Sequence, residues 1–137
     1  HLVTWPYTIC AAPDYLDRHP PITHPAQLHA HRWLHFLPVR TTLQNGEESY
    51  FLDVADSIAC THLAAVCSLT ESSFGLSLQV GGEVREKIAQ GRLKAVLPEW
   101  TLPPVSLYLV TPYRVQSAKT EAAVRIFTES FAKEGDL

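Results

Sequence analysis

The sequence predicts an α/β domain with a mixed sheet and helices on both faces. Three observations point there. From residue 74 onward, strand-like apolar runs alternate with helical stretches, the pattern of a sheet covered by helices. The Asn45-Gly46 pair lies between two strand-like runs, and this dipeptide is the strongest short-range hairpin signal. Residues 105–110 are almost continuously apolar, as in a strand buried on both faces.

The elements follow in order. Residues 7–10 form a short β-rich run, and a helical turn over 14–19 follows Pro13. The His19-Pro20-Pro21 stretch ends that turn, because proline disfavours helix at the residue before it. Pro25 suits the first position of a second short helix. A strand over 33–37 stops at Pro38, and the hairpin strands cover 40–43 and 48–54. Asp56 or Ser57 is placed to cap a helix reaching Ser68, with Ile58, Leu63, Val66 and Cys67 as its buried stripe. A strand over 74–80 precedes a helix opened by Gly81-Gly82 and closed by Gly91. Strands over 93–97 and 105–110 are joined by a proline-rich connection. Ser117 caps a final helix whose stripe is Val124, Phe127 and Phe131.

Composition bounds the function. The 137 residues suffice for one domain with its own core, without help from metals or disulfides. A net charge of -3 gives no electrostatic reason to approach nucleic-acid phosphates. No apolar run has the length of a bilayer span, and no signal peptide opens the chain. The chain holds no methionine, so it is expected to be a piece of a longer protein. Cys10, Cys60 and Cys67 cannot all pair within one chain and have apolar neighbours. They are expected to be reduced thiols of a cytoplasmic protein, with Cys60 and Cys67 two helical turns apart.

No residue pattern carries catalysis. There is no Gly-x-Ser-x-Gly elbow, and Gly81-Gly82 lacks the Gly-Lys-Ser/Thr of a phosphate loop. His29, His31 and His35 have a superficial metal-ligand spacing, but no Cys-x-x-Cys or His-Glu-x-x-His accompanies them. No enzyme activity, metal or cofactor is expected. Ligand contacts are better sought where strands end, since small molecules in open α/β sheets sit outside the carboxyl ends of strands. That singles out Pro38, Val39, Arg40 and Thr41, then Asp56 and Ser57, then Thr111 and Pro112. Arg40 offers a forked donor for a carboxylate; the competing reading is a solvated hairpin arginine.

Three blocks carry a resemblance to a known family. Residues Gln90-Gly91-Arg92-Leu93-Lys94-Ala95-Val96-Leu97-Pro98-Glu99-Trp100 are similar to the Gly-Arg-Leu to Pro-acid-Trp stretch of LysR-type effector domains. The likeness continues through Pro103-Pro104, Leu107-Tyr108-Leu109-Val110 and Pro112-Tyr113-Arg114, then Val124-Arg125 and Phe127. Cys10-Ala11-Ala12-Pro13-Asp14-Tyr15-Leu16 and His24-Pro25, Leu28, His31-Arg32 resemble the family's two earlier blocks. Two positions depart from the pattern: Ser73 stands for the first glycine of a Gly-x-Gly that keeps Gly75, and Val80 stands for a proline. Local rearrangement is expected there.

The resemblance implies a type II periplasmic-binding-protein-like fold with two subdomains and an effector cleft between them. The chain then carries the second subdomain over 1–104, with a crossover strand at its start, and the returning strand and helix of the first over 105–137. The first subdomain's other half, a linker helix and a winged helix-turn-helix are expected to lie outside this sequence. The implied function is sensing of a small-molecule effector, a carboxylate being a common acid group of such ligands. The sensor would act within a cytoplasmic, homo-oligomeric transcription regulator that meets DNA only through the missing domain. The alternatives are a periplasmic solute-binding protein of the same architecture, or an enzyme on that fold.

Overall fold

The computed structural model describes residues 1–55, 57–110 and 117–135. Nine strands and four helices are assigned among them. The centre is β2 (Tyr7–Ala11), which pairs antiparallel with β7 (Ser77–Val80) on one edge and β8 (Lys94–Ala95) on the other. A parallel bridge from Trp33 to Leu76 joins β7 to β3 (Trp33–His35), and β6 (Ser57–Ala59) runs parallel to β3. Antiparallel and parallel pairs therefore coexist, as the α/β reading requires. Two smaller pairs complete the fold: the hairpin β4 (Arg40–Asn45) with β5 (Glu48–Asp53), and β1 (Val3–Trp5) with β9 (Val105–Leu107).

The helices are α1 (Pro13–Asp17), α2 (Leu63–Glu71), α3 (Gly82–Ala89) and α4 (Ala118–Gly135), with a 3₁₀ turn over Pro25–Ala30. Pro25 takes the first position of that turn, where its missing N–H costs nothing. His24 precedes it as the cap: the Ala26 N–H donates to His24 Nδ1 at 3.1 Å, and the His24 N–H donates to Gln27 Oε1 at 3.2 Å. With Nδ1 accepting, His24 Nε2 carries the hydrogen and donates to Glu48 Oε1 at 2.8 Å. Gly81 (φ +88°) and Gly91 (φ +74°) bracket α3 in conformations that side chains disfavour. At α4, Ser117 Oγ accepts from the Thr120 N–H at 3.3 Å, as expected of a cap.

The main core lies between the central sheet, the 3₁₀ turn and the hairpin. Trp33, Leu28, Leu43, Leu52 and Leu76 are fully buried there, beside Ile9, Tyr15 and Trp100. A smaller cluster of Cys10, Val84 and Leu93 fixes α3 to the sheet. The three cysteines are free thiols, and burial pushes Cys10 up to about 12.

Several boundaries differ from the sequence reading. Ser57 caps no helix; it opens β6 and pairs with Trp33, and α2 begins only at Leu63. Of the expected α2 stripe only Val66 is buried, joined by Thr70, while Ile58 and Leu63 are exposed. Cys60 precedes α2, so the two-turn spacing with Cys67 does not arise. The hairpin register pairs Asn45 with Glu48, leaving Gly46 (φ +60°) and Glu47 as the turn. Glycine at the first central position is the II′ solution, with Asn45 kept in its strand. Ser73 holds φ +66°, a conformation that ordinarily favours glycine.

The strand over 105–110 is also shorter and less covered than expected. Among the described residues β9 pairs with β1 alone, and beyond it Tyr108 and Val110 are exposed. Along α4, Phe131 meets Trp5 of β1 edge-to-face at 5.9 Å, Val124 is half-buried, and Phe127 stands exposed.

Candidate functional site

A cavity of about 270 Å³ opens at the carboxyl end of β3. Leu34 and His35 enter it from the strand, and the following Phe36, Leu37, Pro38 and Val39 form its rim. Its other sides come from the first turns of two helices, through Leu63, Val66 and Cys67 of α2 and Glu83 and Val84 of α3. Leu78, Gln79 and Val80 of β7 supply a further wall, and Tyr7 and Val105 approach from the β2 and β9 strands. The sheet places it there because β3 stops after three residues, before Pro38, so the chain must turn away over the helix starts.

The lining is mostly aliphatic and aromatic, with a few polar groups held in place. Gln79 is buried, and its Nε2 donates to Ser77 Oγ at 3.0 Å. Ser77 Oγ in turn lies 2.8 Å from Thr70 Oγ1, which donates to the Val66 carbonyl at 2.6 Å. This chain fixes the Gln79 amide, whose Oε1 takes the weak Cys67 S–H contact at 3.6 Å. Burial raises the Cys67 thiol, so at neutral pH it packs as a thiol and is a poor nucleophile. His35 lines the cavity, and its Nδ1 is buried without a hydrogen-bond partner among the described residues.

The two helices whose first turns face the cavity are tied together by charge. Lys87 Nζ of α3 lies 2.9 Å from Glu71 Oε1 at the end of α2, and Arg92 reaches Glu71 Oε2 at 2.6 Å. Lys87 holds the Glu71 carboxyl below the usual carboxylate range. The pair is largely buried, and its removal would let α2 and α3 slide.

The structure brings Pro38 and Val39 into the cavity and keeps Arg40 and Thr41 out of it. Arg40 is exposed on the hairpin, its Nε 3.4 Å from Asp53 Oδ2. Ser57 lies on β6, outside the lining. Asp56, Thr111 and Pro112 lie outside the described residues. The lining residues that sequence reading missed fall into two groups. Phe36 and Leu37 were within reach of the strand-end argument. Gln79, Cys67 and Val84 come together only through tertiary folding. The three histidines with apparent ligand spacing separate: His29 Nε2 pairs with the Tyr50 hydroxyl at 2.9 Å, His31 Nδ1 with the Tyr15 hydroxyl at 3.0 Å, and His35 faces the cavity.

Comparison with known proteins shows the family. The family described as LysR substrate binding domain matches residues 1–132. The chain belongs to that family. It is 29% identical over 113 residues to the probable HTH-type transcriptional regulator SinR of Salmonella typhimurium, covering 77% of this chain and 36% of SinR. Among solved structures, the regulatory domain of AphB from Vibrio vulnificus superposes with a TM-score of 0.65 at 29% identity, covering 74% of this chain and 52% of that one. The CrgA regulatory domain of Neisseria meningitidis shares the fold across 96% of this chain and 67% of its own, with a TM-score of 0.70 at 19% identity. This LysR-type effector-binding chain thus spans little more than a third of SinR. Its relatives are transcription regulators and not periplasmic solute-binding proteins.

Proposed function

We propose that residues 1–104 form the second-subdomain wall of an effector cleft, and that 105–137 return to the first subdomain. The cleft would serve a cytoplasmic, homo-oligomeric transcription regulator that meets DNA through a separate N-terminal domain and performs no chemistry on its ligand. The observation that carries this reading is the cavity at the end of β3, apolar in most of its lining and bordered by Tyr7 and Val105 where the two subdomains would join. A ligand that closes the cleft gains contacts in one arrangement only, and that difference is what shifts a regulator between states.

The lining contains no lysine or arginine among the described residues. A carboxylate effector would therefore find its cation elsewhere, while this wall takes an apolar or aromatic body. The test is a promoter-reporter assay of the full regulator against a panel of small carboxylates and aromatics. Phe36→Ala and Leu37→Ala should each raise the half-effective concentration about tenfold, the equivalent of about 1.4 kcal/mol of lost contact. Fold stability should barely move, because Phe36 is 50% and Leu37 67% exposed in this chain. Arg40→Ala should leave the response unchanged. A lost response in Arg40→Ala with a normal one in Phe36→Ala would put the ligand outside this cavity.

A further inference from the structure

A second concavity, of about 380 Å³, lies apart from the cleft, between α1, the end of the 3₁₀ turn and the segment before β7. It is lined by Tyr15, Arg18, His19, His31, Arg32 and Ser73, with Ala30 and Phe74, and no carboxylate is among them. The arrangement is built: Tyr15 and His31 are both at least nine-tenths buried, and the Tyr15 and His19 rings stack at 4.1 Å. His19 and His31 have ring centroids 5.3 Å apart.

The hydrogen bonds fix which atoms remain to meet a ligand. His19 Nδ1 lies 2.7 Å from the Tyr15 carbonyl, which only accepts. His19 therefore carries a hydrogen on Nδ1 and keeps Nε2 free. The Tyr15 hydroxyl lies 3.0 Å from His31 Nδ1. When that hydroxyl donates to Nδ1, neutral His31 carries its hydrogen on Nε2. Among the described residues, neither His31 Nε2 nor the Arg32 guanidinium has a partner, and Arg18 pairs with Asp14 on the exposed side of α1. The groove thus presents His31 Nε2, the Arg32 guanidinium and the Ser73 hydroxyl, with the Arg18 guanidinium, shared with Asp14, at its edge. Burial first, and the neighbouring His19 second, lower the His31 pKa, so positive charge is unfavourable here until an anion arrives.

We propose that this groove binds a phosphate group, and so constitutes a second ligand site separate from the effector cleft. A planar carboxylate is satisfied by one fork of donors. The free oxygens of a phosphate accept from several directions, as donors from three chain segments require. The charged and titratable groups around it are Asp14, Tyr15 and Asp17 of α1, then Arg18 and His19, and His31 and Arg32 beyond the 3₁₀ turn.

The experiment is an NMR titration of the histidine ring protons in this chain with inorganic phosphate, glycerol phosphate, acetate and chloride at matched ionic strength. Either phosphate should raise the pKa of His31 by about one unit, the effect of an opposite charge a few ångströms away, and should move the His19 ring-proton signals with it. Tighter binding of glycerol phosphate assigns the site to phosphorylated metabolites, and equal binding assigns it to free phosphate. Acetate and chloride should leave both rings unmoved. Arg32→Gln should weaken phosphate binding about tenfold at unchanged thermal stability, since its side chain is exposed. His19→Gln should leave His31 to report alone. Equal titration of both rings in all four anions, or a full phosphate effect in Arg32→Gln, would overturn the assignment.

Discussion

Trp33→Ala is expected to lower the unfolding free energy by about 3–5 kcal/mol, the range for deleting a large buried aromatic. Trp33 is fully buried at the point where β3 meets both β6 and the bridge to Leu76. Its indole N–H donates to the Leu28 carbonyl at 3.0 Å, tying the 3₁₀ turn to the sheet. The alanine variant leaves a cavity among Leu28, Leu43, Leu52 and Leu76 and removes one of the two donors to the Leu28 carbonyl, the His31 N–H at 3.3 Å remaining. A domain of this size holds roughly 5–15 kcal/mol in all, so a large share of the stability would go. Urea denaturation measures the loss directly. A change below about 1.5 kcal/mol, the cost of a conservative core swap, would mean that Trp33 is not the keystone of this core.

Gly75→Ala is expected to cost about 3 kcal/mol, at the upper end of overpacking penalties. A Cβ built on Gly75 would stand 2.4 Å from the Arg32 carbonyl oxygen. That oxygen accepts from the Leu76 N–H at 2.9 Å, one of the bonds holding β3 to β7. The new methyl would meet backbone, which has nowhere to swing, so the strands would have to part. Ser73 shows the opposite case. Its φ of +66° costs a side-chain residue about 1–2 kcal/mol, part of which glycine's added chain entropy cancels. Ser73→Gly should therefore stabilise by about 0.5–1 kcal/mol. Melting curves of the two variants should move in opposite directions. A neutral Gly75→Ala would show that the strands do not approach this closely.

The parts of the fold that were legible are those governed by local chemistry. Pro25 fixed a helix start, and Gly81 and Gly91 marked both ends of α3, because these residues restrict or free the backbone wherever they sit. The run from Ser57 was misread because a small polar residue suits both a helix cap and the start of a parallel strand. Only pairing with Trp33 makes it β6, and that partner lies 24 positions away (57 minus 33). β1 was visible only through the resemblance, since three residues carry no periodicity. The site was half legible for the same reason. A strand ending at a proline pointed to Pro38 and Val39, but the choice between Arg40 outward and Phe36 inward depends on how the chain turns after β3. Gln79 gave no signal at all, because its place in the lining depends on a hydrogen-bonded chain through Ser77 and Thr70.

The most direct test of the cleft reading is a map of backbone amide shifts in the complete effector-binding unit, titrated with the carboxylate and aromatic panel. A ligand that binds should move the amides of residues 34–39, 63–67 and 78–84, the three segments that meet at the end of β3. The β4–β5 hairpin around Arg40 should stay still. Shifts confined to the hairpin, with those three segments unmoved, would contradict the assignment of this cavity as the effector site.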